Sequence, residues 1–83
     1  MKLLARTPND IGHALRQARR RRKLTQQQLA DSSGIRQETI SRLENGSPGT
    51  RLETLFDVCA ALDLELVMTE RSKGSLDFLT DTL

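Results

Sequence analysis

The feature that most constrains the fold is a pair of short helical segments that meet at Gly34. Thr25 and Gln28 have the spacing of a capping box, so we expect a helix over residues 26–33. Gly34 then stands where glycine commonly ends a helix in the left-handed conformation. A second helix is expected over residues 37–44, directly after the turn. Two short helices separated by a tight turn that contains glycine are typical of a helix-turn-helix.

Two more helices complete the predicted helical part of the fold. The first is expected to begin at Pro8, after the N-cap Thr7, and to end at about Lys23. The fourth is expected to open at a capping box formed by Thr50 and Glu53. It carries an apolar stripe at helical spacing, made of Leu52, Leu55, Phe56, Cys59 and Leu62.

A strand is expected after the fourth helix, because the apolar period changes from helical to alternating. One face of this strand carries Leu64, Leu66 and Met68, and the other carries Glu65, Val67 and Thr69. A single strand cannot pair its own backbone groups, and its simplest partner is the same strand of a second copy. The alternatives are a strand that folds back locally or a coil. The predicted fold class is all-α, with four helices and one C-terminal β-strand that pairs across a dimer.

The charges are divided unevenly along the chain. Residues 1–51 carry eleven Lys and Arg against four Asp and Glu, a net charge of +7, whereas residues 52–83 carry a net charge of −5. The basic part suits a polyanion, and an uneven solvated surface is the alternative interpretation. A run of five basic residues, 19–23, stands at the predicted end of the first helix, where cations also suit the helix dipole.

The composition argues against an enzyme, a metal site and a bound cofactor. The chain has one cysteine and one histidine, and no glycine-rich phosphate loop. Cys59 is expected in the core and His13 on the surface of the first helix. No apolar run approaches the roughly 20 residues that a membrane span needs, and the N-terminal residues do not read as a secretory signal. We therefore expect a cytoplasmic protein without a membrane partner.

A specific resemblance to a known family begins at Leu24 and ends at Gly46. The residues there read L-T-Q-Q-Q-L-A-x-x-x-G-I-x-x-x-T-I-S-x-L-E-N-G, a run that resembles the Cro/C1-type (XRE) helix-turn-helix family. The predicted order of four helices and a strand is similar to the HipB-like antitoxins within that family. The resemblance implies a lambda-repressor-like DNA-binding and dimerisation domain over residues 1–70 and a flexible tail over residues 71–83.

The resemblance also implies a function and partners. It describes a prokaryotic, nucleoid-associated homodimer that binds a palindromic operator in double-stranded DNA and represses transcription of its own operon. The further partner it implies is a HipA-like kinase toxin. The acidic second part of the chain, together with the tail residues Leu76, Phe78 and Leu79, is a candidate toxin-binding surface, and simple disorder of that tail is the alternative.

Site residues can be assigned position by position from the same resemblance. The base-reading positions are Arg36, Gln37, Glu38, Thr39, Ser41 and Arg42, of which Arg36, Thr39 and Ser41 fall where family members contact either bases or phosphates. The phosphate-binding positions are Thr25, Gln26 and Asn45. Arg19 matches an arginine that pairs with the glutamate at Glu44, so this pair is expected to be structural and not a DNA contact.

Two positions depart from the family pattern. Arg36 replaces the usual Ser or Thr cap of the recognition helix, and since arginine caps poorly, we expect it to contact a phosphate or a guanine. Glu38 places an acid on the face that enters the groove. It can accept a hydrogen bond from a cytosine amino group, or it can orient Arg42 one turn away, and the second role is the one we favour on the sequence.

Two other functions remain open on the sequence. One is a stand-alone phage-like or chromosomal regulator that has no toxin partner. The other is an interaction protein that uses the helix-turn-helix only as a scaffold and does not bind DNA.

Overall fold

Four α-helices make up the fold that the computed structural model describes over residues 3–71. They are α1 (Pro8–Arg21), α2 (Gln26–Ser33), α3 (Gln37–Glu44) and α4 (Leu52–Ala61). The all-α, four-helix prediction is confirmed, and α2 and α3 have the expected bounds. Within residues 3–71, no helix is both long enough and apolar enough to cross a bilayer.

The N-termini of α1 and α2 are closed by reciprocal hydrogen bonds. In α2, Thr25 Oγ1 accepts from the backbone N–H of Gln28 at 3.0 Å, and the Gln28 side chain accepts from the Thr25 N–H at 2.8 Å. Thr7 and Asp10 form the same capping box in α1. The N–H of Arg6 also donates to Asp10, and together with the Thr7 hydrogen bonds it holds the pKa of Asp10 below its usual value.

The capping box predicted at Thr50 is wrong. Arg51 is the N-cap of α4, and its side chain makes no capping hydrogen bond. The Thr50 hydroxyl instead donates to the carbonyl of Ser47 at 3.3 Å. Because this hydroxyl is used in the turn between α3 and α4, the helix begins one residue later, at Leu52.

Three helices end in a Schellman motif, in which the residue after the C-cap is left-handed. These residues are Lys23 (φ 57°), Gly46 (φ 82°) and Asp63 (φ 56°). At the end of α1, for example, the Leu24 N–H donates to the carbonyl of Arg19 at 3.1 Å. The left-handed turn explains why α1 ends at residue 21, two residues before the predicted end.

The core lies where α2 packs against α3 and α4 and where α1 packs against α3. Its fully buried apolar members are Leu15, Ala18, Leu29, Ala30, Ile40, Leu43, Val58, Cys59 and Leu62. The predicted stripe of α4 is therefore only partly right. Leu52 and Phe56 are 72% and 55% exposed, and Val58, which the stripe omitted, is buried.

The close approach of α1 to α3 depends on Gly12. A Cβ atom at this position would lie 2.6 Å from the carbonyl oxygen of Glu44 and 2.7 Å from that of Leu43. No side chain fits there, because the obstacle is backbone. Gly12 therefore sets the position of the C-terminal turn of α3, which carries Glu44.

The predicted strand is not found in the single chain. Residues 64–71 have no regular secondary structure in the part of the chain that the structure describes. Leu64 packs against the core, whereas Leu66, Val67 and Met68 are 44%, 81% and 98% exposed. A strand requires a paired neighbour, and residues 3–71 of one chain supply none. The predicted tail residues Leu76, Phe78 and Leu79 lie outside the described residues.

Candidate nucleic-acid interface

The outer face of α3 is polar and exposed, and its inner face anchors the helix in the core. Ile40 and Leu43 are buried among the apolar side chains. On the outside, exposed side chains are those of Arg36, Gln37, Glu38 and Arg42, while Thr39 and Ser41 are half-buried. A short helix held in this way presents hydrogen-bonding groups at fixed positions, which is what reading base edges in a major groove requires.

The anchor of α3 at its C-terminal end is an ion pair between Arg19 and Glu44. Arg19 Nε donates to Glu44 Oε2 at 2.7 Å, and Nη2 donates to Oε1 at 2.9 Å, so the pair is bidentate. The side chains are only 10% and 1% exposed. Arg19 Nη1 also donates to the carbonyl of Leu24, which joins α1, the turn before α2, and α3. The structure thus brings together the two residues that the resemblance paired.

Both members of this pair have shifted pKa values. The hydrogen bond to Glu44 raises the pKa of Arg19, against the effect of burial. Burial opposes ionisation of Glu44, but hydrogen bonds from Arg19, Gln26 and Arg16 outweigh it and hold the pKa of the carboxyl below its usual value. Glu44 is therefore ionised at neutral pH.

Two further partners of Glu44 were not predicted in that role. Gln26 Nε2 donates to Glu44 Oε1 at 3.1 Å, and Arg16 Nε donates to the same oxygen at 3.4 Å. Arg16 precedes Arg19 by three residues, a spacing that places the two on one face of a helix. That spacing was a usable signal in the sequence.

The start of α2 is connected to the start of α3 through side chains. Gln26 Oε1 accepts a hydrogen bond from Gln37 Nε2 at 2.7 Å. Because Gln26 is itself fixed by Glu44, the amide of Gln37 is oriented before any ligand arrives. The structure thus links one predicted phosphate-binding residue, Gln26, to one predicted base-reading residue, Gln37.

The other predicted phosphate-binding residues lie at helix ends. Thr25 is the N-cap of α2, with its hydroxyl bound to the N–H of Gln28. Asn45 is the C-cap of α3, and its Oδ1 accepts from Arg16 Nη2 at 3.4 Å. The Asn45 side-chain amide nitrogen makes no hydrogen bond to a described residue.

Arg36 and Glu38 begin α3 without stabilising it through a cap. Arg36 is the N-cap, and its side chain makes no capping hydrogen bond. In the described part of the chain, no ion pair joins Glu38 to Arg42. The orienting role considered for Glu38 is therefore not built into the free chain.

Apart from the buried Arg19, the basic run at the end of α1 is solvated. Arg20, Arg21 and Lys23 are exposed. Arg22 lies 3.7 Å from Asp63, but both side chains are largely exposed, at 47% and 91%, so the pair contributes little to stability. These charges contribute to a positive potential around the domain, which attracts polyanions.

Groups that bind metals are not assembled in the described residues. No three His, Cys, Asp or Glu side chains lie close enough together to hold an ion within residues 3–71. Cys59 is buried in the core, as predicted, and burial raises the pKa of its thiol. His13 is exposed on α1, also as predicted.

Comparison with known proteins identifies the family. A family model described as helix-turn-helix matches residues 15–67, which include α2, α3, α4 and the C-terminal half of α1. The chain belongs to the XRE-type helix-turn-helix family. Antitoxin HipB of Escherichia coli K12 is 32% identical over 69 residues, which are 83% of this chain and 78% of that protein. The motif predicted from Leu24 to Gly46 thus lies within the family match.

Two further comparisons also match most of the chain. The HipA-HipB-O2-O3 complex contains a chain that matches with a TM-score of 0.79 and 30% identity, over 86% of this chain and 100% of that one. An uncharacterized HTH-type transcriptional regulator, y4dL of Sinorhizobium fredii, is 38% identical over 68 residues. Those residues are 82% of this chain but only 35% of y4dL. The chain is thus similar over most of its length to HipB, and to one part of a longer regulator.

Proposed function

We propose that the chain is a dimeric, sequence-specific DNA-binding repressor and the antitoxin of a HipBA-type toxin–antitoxin module. The observation that carries the DNA-binding part is the outer face of α3, which is polar, exposed and fixed in place through Glu44 and Gln26. The observation that carries the antitoxin part is the similarity to HipB over 83% of the chain.

Base recognition is assigned to the exposed face of α3. Gln37 can form a bidentate pair with an adenine, and Arg42 can form one with a guanine. Glu38 can accept from a cytosine amino group, a role favoured because no ion pair ties it to Arg42 in the described residues. Arg36, Thr39 and Ser41 contact bases or phosphates at the margins of this face.

Phosphate contacts are assigned to Thr25, Gln26 and Asn45 at the ends of α2 and α3. These contacts fix the height and angle at which α3 enters the groove but carry no sequence information. Gln26 has both functions, because it contacts the backbone of the DNA and also orients Gln37 at 2.7 Å. The exposed arginines of α1 add sequence-independent attraction.

Dimerisation is assigned to the segment that follows α4. Val67 and Met68 are 81% and 98% exposed, and an apolar groove of about 370 Å³ beside them is lined by Phe56, Leu64 and Leu66, among others. Pairing of residues 64–68 with the same segment of a second copy would cover these side chains and satisfy the unpaired backbone. The dimerisation domain proposed is residues 1–70, and a tail over residues 71–83 lies almost wholly outside the described residues.

The partner of the acidic part of the chain is proposed to be a HipA-like kinase toxin. The similarity to the HipA-HipB-O2-O3 complex supports this assignment. A lone regulator is the second candidate, and the similarity to y4dL favours it. Co-purification of the tagged chain with the product of the adjacent gene separates the two: a stable complex with a kinase-like protein supports the antitoxin, and its absence supports the lone regulator.

The DNA-binding part is tested by a gel shift with a duplex that contains the region upstream of the chain's own gene. Binding should survive an excess of unrelated DNA and weaken steeply as salt is raised. Replacing Gln37 and Arg42 together by Ala should abolish the preference for this duplex while the melting temperature is maintained. Equal binding to unrelated DNA would contradict a sequence-specific repressor, and no binding to either duplex would favour the scaffold interpretation. Sedimentation equilibrium at micromolar concentration tests the dimer, which a monomer would exclude.

A further inference from the structure

Arg16 lies beside two side chains that are proposed to bind phosphates. Its Nη2 donates to Asn45 Oδ1 at 3.4 Å, and its Nε donates to Glu44 Oε1 at 3.4 Å. Gln26 Nε2 donates to the same Glu44 oxygen at 3.1 Å. Glu44 therefore holds Arg16 and Gln26, and Arg16 in turn holds Asn45, so that the three side chains lie together where α1, α2 and α3 meet.

The charge of Arg16 is not needed to neutralise Glu44. Arg19 already donates to both oxygens of that carboxylate, at 2.7 and 2.9 Å, and the Arg19 side chain is 10% exposed. The hydrogen bonds of Arg16 are longer, and its side chain is 33% exposed. Two guanidinium groups and one carboxylate leave one positive charge, and the exposed member of the cluster carries it.

We propose that Arg16 contacts a backbone phosphate of bound DNA at the position flanked by Gln26 and Asn45. This inference rests on the proposed function and adds a charged residue to a phosphate site whose other side chains are neutral. A guanidinium presents several N–H donors in a fixed plane that suits phosphate oxygens. Since its bonds to Glu44 and Asn45 are long, Arg16 loses little when it turns toward a phosphate.

The test measures how DNA affinity depends on salt for Arg16 variants. The probe is the duplex that the wild-type chain selects from a random-sequence pool. Arg16→Gln and Arg16→Met remove the charge, and Arg16→Lys keeps it. The proposed dimer carries two copies of Arg16, so each neutral variant removes two phosphate contacts and lowers the slope of log K against log salt by about 1.8. The advantage of the wild type then shrinks about 12-fold between about 50 and 200 mM salt. Arg16→Lys should keep the wild-type slope.

A matched control and the melting temperatures separate this role from structural support. Arg21→Gln removes the same charge from an exposed position on α1 and should change the slope less. If the neutral Arg16 variants keep the wild-type slope, lower it no more than Arg21→Gln does, or fail to fold, Arg16 only supports Glu44 and the proposal is overturned. If the wild-type chain selects no sequence, the proposed function fails first and this inference falls with it.

Discussion

Arg36→Ser should stabilise the free protein and weaken its binding to DNA. Arg36 already has the extended backbone of an N-cap, with φ −64° and ψ 144°, so a serine fits without moving the chain. The serine hydroxyl can accept a hydrogen bond from the N–H of Thr39. In the wild-type chain this N–H donates only to the Arg36 carbonyl, at 3.0 Å. The new cap is worth about 1 kcal/mol. Removing a cation from the positive end of the helix adds roughly 0.3–1 kcal/mol.

The expected total is about 1–2 kcal/mol, and it is measured by thermal unfolding at fixed protein concentration. For a domain of this size, 1 kcal/mol raises the melting temperature by about 4–8 °C. Arg51→Ser is the matched control for capping, because Arg51 is the N-cap of α4, with φ −70° and ψ 144° and no capping hydrogen bond. It should raise the melting temperature by a similar amount.

The DNA affinity of the Arg36→Ser variant tests whether Arg36 contacts DNA. We expect Arg36→Ser to lower the affinity for the selected duplex about tenfold or more, as the loss of one good phosphate or base contact does. The reasoning is refuted if Arg36→Ser is more stable and binds DNA as tightly as the wild type. It is also refuted if Arg51→Ser raises the melting temperature and Arg36→Ser does not.

Three further changes test the fold around the site. Gly12→Ala should lower the unfolding free energy by about 1–3 kcal/mol, because its Cβ meets the backbone of α3. The control Gly49→Ala, which has open space around its Cβ, should lower it less in the same denaturant titration. Lys23→Gly should raise the unfolding free energy by about 1 kcal/mol, since it removes a Cβ from a left-handed position at φ 57°. An unchanged denaturation midpoint would contradict this. Glu44→Ala leaves the buried Arg19 unpaired and should lower the unfolding free energy by about 3–5 kcal/mol. This substitution should change the melting temperature more than it changes the preference for a DNA sequence. Because the folded pKa of Glu44 is lowered, its contribution to stability is complete above its ordinary pKa of 4.5 and is lost as the pH falls through the folded value. As the pH is lowered, the unfolding free energy should therefore fall more steeply for the wild type than for Glu44→Gln. Equal slopes of unfolding free energy against pH would contradict the lowered pKa of Glu44.

Local signals in the sequence predicted the elements whose ends depend on nearby residues. Thr25 with Gln28 marks the start of α2, and Gly34 marks its end, because both the capping box and the left-handed turn are closed within a few residues. Thr50 shows the limit of such signals. Its hydroxyl donates to the carbonyl of Ser47 and does not cap α4. Both hydrogen bonds are short-range, and the sequence does not indicate which of them forms.

Features that depend on distant or absent partners could not be predicted from the pattern. Gly12 is required by the backbone of α3, which lies more than thirty residues along the chain. Phe56 belongs to the predicted apolar stripe of α4 but is 55% exposed, because no element within residues 3–71 covers it. The strand predicted after α4 is not formed in residues 64–71 of the single chain, and the pairing proposed for it needs a second copy. The contact of Arg16 with Glu44 could have been predicted, because Arg16 lies three residues before Arg19 on the same face of α1. The assignments of base-reading and phosphate-binding residues stay predictions.

The central claim is that α3 reads a DNA sequence as one half of a two-fold dimer. Selection of binding sites from a random-sequence duplex pool tests it most directly. We predict a palindromic consensus whose half-sites are centred about one helical turn apart, roughly 34 Å, and an Arg42→Ala variant that loses selectivity at one symmetric pair of positions. A pool that remains random after selection, or a consensus unchanged by Arg42→Ala, would contradict the claim.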